Sequence, residues 1–130
     1  MSLNTPIWGE GYVPAYQLSA TPFVTSSNVT LGQTKEITFG SVTRFFTVKN
    51  TGASASVLAV GFTSRGLQSA QSNYFVLSGS ESFSGELRVD RIFVSGSSGA
   101  PSFTVVAGLT PIPTKSFTAV TASNGFQGVG

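Results

Sequence analysis

Neither cysteine nor histidine occurs anywhere in the 130 residues. Their absence excludes disulfides, thiolate chemistry and the commonest transition-metal ligands, and it removes the usual general base near neutral pH. Charge is scarce as well: seven Lys and Arg stand against five Asp and Glu, a net charge of +2. The acidic inventory is Glu10, Glu36, Glu81, Glu86 and Asp90, so a hydrolase built on this chain would have to run on carboxylates alone. The basic residues Lys35, Arg44, Lys49, Arg65, Arg88, Arg91 and Lys115 are scattered along the chain. A duplex-binding face concentrates such residues to neutralise many phosphates, so nucleic acid is not the expected partner. No stretch approaches the roughly 18 continuous apolar residues of a membrane span, and no membrane partner is expected. The first residues lack the basic region and apolar run of a secretory signal. The expectation is synthesis and retention in the cytosol until something else carries the protein out.

What is present is apolar and turn-rich: 40% hydrophobic residues, 12% aromatic, 15 Gly and 6 Pro. Only 9% of residues are charged, whereas a free monomer's surface is about 25–35% charged. Part of this surface is therefore expected to be covered by other chains. A chain of this length forms one domain and buries roughly two thirds of its unfolded surface without staples.

Residues 82–109 organise the reading. Leu87 and Val89 alternate with Glu86, Arg88 and Asp90, a period of two that predicts a strand with one apolar and one charged face. Phe103, Val105, Ala107 and Leu109 repeat the alternation, with Val106 adding an apolar residue to the opposite face. Arg91 breaks the phase, so Ile92 and Val94 fall out of register with Leu87 and Val89. A bulge or a bend that switches sheets near Asp90 and Arg91 would restore it.

Further strands are expected at 22–25, 29–31, 35–39, 42–49, 56–63 and 73–77, with turns at Gly40-Ser41, Asn50-Thr51-Gly52 and Ser78-Gly79-Ser80. Gly61, inside an apolar run, marks a bulge or a close backbone approach. Gly96 to Gly99 read as a loop. No 3.6-residue stripe survives the density of Gly, Ser, Thr and Val. The expected fold is all-β, an antiparallel β-sandwich of about eight strands, with a jelly-roll favoured over an immunoglobulin-like arrangement because the Cys, Trp, Cys spacing of the latter is absent. Three segments follow: an N-terminal arm over 1–20, the sandwich over 21–110, and an extended tail over 111–130 in which Pro111 and Pro113 bar a central strand.

Catalytic, cofactor and metal sites are not found in the sequence. Glu86 and Asp90 would share a strand face about 13 Å apart, too far for the roughly 5–9.5 Å of a glycosidase pair, with Arg88 between them as an ion-pairing partner. Glu81 and Glu86 lack the Asp-rich loop of a calcium site. Asn28-Val-Thr30 matches a glycosylation triplet by chance, given no signal peptide. Arg44 would share a face with Phe46 and Val48 and needs the sheet end or a carboxylate, Glu36, Glu86 or Asp90. Candidate interface residues are the aromatics Trp8, Tyr12 and Tyr16 of the arm, Arg65 on the polar loop, and Phe117 and Phe126 of the tail. Rigid aromatics of this kind anchor arms into neighbouring subunits; the alternative is stacking on sugar rings or on a receptor.

The succession Arg44-Phe-Phe-Thr-Val-Lys-Asn50, Leu58-Ala-Val-Gly-Phe62, Tyr74-Phe-Val-Leu77, Gly85-Glu-Leu-Arg-Val-Asp-Arg-Ile-Phe-Val-Ser95 and Val105-Val-Ala-Gly-Leu109 resembles the layout of small β-sandwich accessory proteins of double-stranded DNA virus and tailed-phage particles, the capsid decoration or cement proteins. The resemblance spans residues 22–113 and rests on strand pattern and composition. It implies a structural virion protein on the capsid surface, made in the host cytoplasm, that forms a homo-oligomer, a trimer foremost, and clamps neighbouring major capsid proteins with terminal arms. It implies neither an enzyme nor a cofactor.

Overall fold

The computed structural model describes residues 19–53, 55–67, 73–99, 101–114, 117, 118, 120, 121, 124–126, 128 and 129. Eight strands follow one another: β1 (Thr21–Asn28), β2 (Thr34–Thr38), β3 (Ser41–Asn50), β4 (Val57–Gly61), β5 (Tyr74–Ser78), β6 (Ser82–Gly85), β7 (Arg91–Ser98) and β8 (Ser102–Pro113). They form two antiparallel four-stranded sheets, ordered β1-β8-β3-β6 and β2-β7-β4-β5. The chain is an all-β sandwich. First pairs with last, second with seventh, third with sixth and fourth with fifth, the order that one long hairpin produces when it is rolled over on itself.

Strand alternation builds the core. Phe46 and Val48 on β3 and Phe103 and Val105 on β8 point inward from one sheet, and Leu58, Val60, Ile92 and Val94 meet them from the other. Burying each such side chain contributes about 1.5–3 kcal/mol. The core also holds a bonded polar group. Asn50, fully buried at the end of β3, donates its side-chain amide to the carbonyl of Leu77 on β5 at 2.9 Å, while its Oδ1 accepts from the Gly52 N–H at 2.9 Å and the Ser56 hydroxyl at 3.3 Å. One side chain thereby ties the two sheets together and closes the Asn50–Gly52 turn.

The two long sides of the sandwich are finished differently. On the β5/β6 side the rings of Phe75 and Phe83 lie 4.8 Å apart and Phe83 sits 5.8 Å from Phe46, so aromatic stacking seals the gap. On the β1/β2 side a groove of about 300 Å³ is left between the edge strands, with Phe23, Ile37 and Phe103 in its lining. Lys35 reaches across it to hydrogen-bond the Ser27 hydroxyl, and Phe23 meets Phe39 edge to face at 5.2 Å.

Residues 82–109 do contain the predicted phase break, and it is a change of sheet. β6 belongs to one sheet and β7 to the other, and the chain bends at Asp90 between them. The strand predicted through Asp90, however, stops at Gly85. Residues 86–89 cross between sheets along Thr43, whose hydroxyl donates to the Leu87 carbonyl at 2.7 Å and accepts from the Val89 N–H at 3.1 Å. Val89 and Asp90 are consequently buried and Leu87 is exposed, so the predicted apolar and charged faces do not exist as such.

Other expectations also change. The strand expected at 22–25 runs on through 26–28 as β1, because β8 offers it an unbroken ladder from Leu109 to Ser102, and of the strand expected at 29–31 only Leu31 pairs, in an isolated bridge to Gly96. Gly96 is a buried residue within β7, where a Cβ would press on Pro101 and the Thr30 carbonyl, so the stretch is strand up to Ser98. Gly61 has the expected close approach, to Leu67 and the Asn73 carbonyl. Pro111 and Pro113 lie inside the central strand β8, which therefore extends past the predicted tail boundary. They are tolerated because β1 ends opposite Leu109 and the β3 ladder jumps from Thr43–Leu109 to Ser41–Pro113. Within that irregularity the Thr110 hydroxyl donates to the Val42 carbonyl at 2.6 Å. Pro111, which stands opposite no residue of β1 or β3, thus costs no ladder bond there.

Candidate functional site

Three charged residues, Glu36, Asp90 and Arg91, meet at the end of the sandwich where the chain changes sheets. Arg91 opens β7, and the β2 register pairs it with Thr38, which leaves Glu36 as its diagonal neighbour. Its guanidinium donates to Glu36 Oε2 at 2.9 Å and to both Asp90 oxygens, Nη2 to Oδ2 at 3.1 Å and Nε to Oδ1 at 3.3 Å. The Asp90 side chain is only 8% exposed, against 42% for Arg91. The hydrogen bond to Asp90 raises the Arg91 pKa above its ordinary value, partial burial works against it, and attraction to Asp90 and Glu36 adds to it. A raised guanidinium pKa stabilises the fold fully below the unfolded value and is lost only as pH rises through the folded one. The cluster therefore stays formed, with Arg91 charged, throughout the neutral range.

This arrangement replaces one expectation: Asp90 pairs with Arg91 inside the bend instead of standing outward with Glu86 and Arg88. Glu36 and Asp90, two of the three carboxylates named for Arg44, are both bonded to Arg91. Arg44 itself sits at the register shift between Thr43 and Phe45, half-buried, while Thr43 takes the inward position. Beside the cluster lies a cleft of about 200 Å³ bounded by Phe62, Thr63, Ser64, Val89, Asp90, Arg91, Phe93, Val120 and Thr121. Among the described residues its lining holds one carboxylate, Asp90, which is bonded to Arg91.

The tail helps to wall the cleft. Phe117 packs on a small second cluster made by Val42 and Ile112, Val120 packs on the main core, and the Val129 carbonyl accepts from the Thr63 hydroxyl at 2.7 Å. That hydroxyl also accepts from the Gly66 N–H at 2.8 Å, and a Cβ at Gly66 would stand 2.3 Å from the Val129 carbonyl. Glycine is required for the tail to come so close. Phe117, Val120 and Val129 of the tail therefore dock on their own domain. Of the two predicted tail anchors, Phe117 faces inward, whereas Phe126 is 38% exposed. Arg65 is exposed in the turn over residues 64–67. Trp8, Tyr12 and Tyr16 lie outside the described residues.

A surface that the sequence pattern did not single out is the outer face of the β1-β8-β3-β6 sheet. The ladders align Val24, Val106, Thr47 and Ser84 across it, flanked by Ser26, Thr104, Lys49 and Ser82 on one side and by Pro22, Gly108 and Phe45 on the other. Lys49 is the one charged residue among these paired outward positions. Val24 is 64% and Val106 39% exposed, and hydroxyl pairs Ser26–Thr104 and Thr47–Ser84, each 2.8 Å, knit the strands on the outside. Val106 was visible as an exception to its strand's alternation. Val24 is not, because it lies in a run expected to end at Thr25, too short to assign its face. On the other sheet Tyr74 and Val76 of β5 are also exposed.

No family model and no curated protein matches the chain. Among solved structures, a chain from the Bacillus endospore appendages, described as a family of disulfide-linked pili, is similar at 14% identity and a TM-score of 0.40, over 68% of this chain and 86% of that one. Likeness at that level carries no functional argument, and these 130 residues contain no cysteine.

Proposed function

We propose that the protein is a structural virion subunit, a capsid decoration or cement protein that acts by surface contact with major capsid proteins and with copies of itself. The nested strand pairing is read as jelly-roll wiring, the layout expected for such subunits. The observation that supports the reading most is the outer face of the β1-β8-β3-β6 sheet, where Val24 and Val106 stand exposed among hydroxyls with a single lysine. A face of this composition gains by being covered, since apolar area removed from water contributes roughly 25 cal/mol per Å², and the hydroxyl rows can hydrogen-bond a partner without the desolvation cost of charges. The exposed Phe126 and Arg65, with Trp8, Tyr12 and Tyr16, are the further contact residues of this reading.

The test is attachment. Wild-type protein should co-sediment with capsids and run above monomer mass in solution. A Val24→Glu/Val106→Lys double variant should keep its β-rich circular dichroism and lose attachment at least tenfold, about 1.4 kcal/mol. Undiminished attachment of the folded double variant would remove this face from the mechanism.

A further inference from the structure

The described asparagines occupy contrasting environments. Asn50 is fully buried with its amide locked by the Leu77 carbonyl, the Gly52 N–H and the Ser56 hydroxyl. Asn28 and Asn73 are followed by the bulky Val29 and Tyr74. Asn124 is exposed, is followed by glycine, and sits in a tight turn where the Thr121 carbonyl accepts both the Asn124 N–H at 3.1 Å and the Phe126 N–H at 3.2 Å. Gly125 has a φ of 91°, a conformation that L side chains rarely adopt, and among the described residues no atom beyond its chain neighbours lies within 4 Å of the place a Cβ would occupy.

We infer that Asn124 is a self-modification site, where the tail ages by deamidation. The Gly125 amide nitrogen attacks Asn124 Cγ and loses its proton to solvent. The new N–Cγ bond closes a five-membered imide as the Cγ–Nδ2 bond breaks and ammonia leaves. Water then opens the imide at either carbonyl, giving aspartate or isoaspartate at position 124. No oxidant, cofactor or enzyme enters the balance. Either product adds one negative charge, taking the chain from +2 to +1.

The isoaspartate product matters more for the structure. It routes the backbone through the former side chain and lengthens the chain by one atom between positions 124 and 125. The Phe126 N–H can then no longer meet the Thr121 carbonyl in the same turn, and the register that delivers the Val129 carbonyl to Thr63 is lost. Modification at one exposed turn thus loosens the tail over the cleft and leaves the eight strands alone. Asn50, by contrast, can react only through opening of the core.

Folded protein is incubated at physiological pH and temperature beside the same chain in urea, and digested with trypsin. Lys115 is the last basic residue, so the peptide from Ser116 to Gly130 contains Asn124 and no other asparagine. The expected result is isoaspartate at position 124 in the folded protein, formed at a rate less than about tenfold below that of the urea-treated chain, because an exposed turn opens at little cost. Asn124→Ser should abolish it, and Gly125→Ala should slow it. In the modified fraction, hydrogen exchange should rise at residues 126–129 while the strands stay protected. Folded protein that deamidates more than about tenfold slower than unfolded chain would overturn the assignment. Unchanged exchange at 126–129 in isoaspartate-bearing protein would overturn the loosening of the tail.

Discussion

The two long sides of the sandwich use the same kind of residue to different effect. Phe83 on the β5/β6 side and Phe23 on the β1/β2 side are both half-buried phenylalanines on edge strands. Phe83 meets two rings, Phe46 and Phe75. Phe23 meets Phe39 at the margin of a groove. On the closed side Asn50 adds a bond from β3 to the Leu77 carbonyl, while on the other the crossing contact is a lysine reaching a serine hydroxyl. Identical residue types therefore have unequal weight: a ring between two others excludes water and adds dispersion, whereas one beside a groove keeps part of its hydration.

Substitutions can break this contrast. The largest effect is expected for Asn50→Ala, which leaves the buried Leu77 carbonyl and the half-buried Gly52 N–H without their partner, about 3 kcal/mol in urea unfolding. Phe83→Ala should follow at about 2–3 kcal/mol, because it opens a cavity between two rings. Phe23→Ala should cost about 1–2 kcal/mol, since solvent already reaches its neighbourhood through the groove. Equal losses for the two phenylalanines would erase the distinction between the sides. Lys35→Ala should stay within about 0.5 kcal/mol, as exposed polar contacts generally do. A larger loss would mean that the lysine, and not the rings, holds the open side.

Much of the fold could be read because alternation reports burial directly. Phe103, Val105 and Ala107 point inward as their spacing demanded, and the phase break at Arg91 marked a real change of sheet. What escaped depends on distant partners. A proline bars a strand only where a neighbour needs its N–H, and nothing local to Pro111 reveals that β1 ends opposite Leu109. Likewise Glu86, Arg88 and Asp90 alternate with aliphatics as a surface strand would, yet the Thr43 hydroxyl holds residues 87–89 in a crossing and turns Asp90 inward to Arg91. The charge-poor outer face was harder still to find, because it is assembled from strands far apart in sequence.

The central position of β8 has a kinetic consequence. Thr21 finds its partner only in Leu109, and β3 is flanked by β8 along most of its length, so this sheet cannot close until residues 102–113 are available. Until then β1, an uncharged strand carrying the exposed Val24, has no ladder to join. Non-local pairing of this kind places the chain among slow folders. During that interval the unclosed sheet is open to other copies of the chain, so synthesis rate and concentration, more than final stability, should set the yield of folded protein.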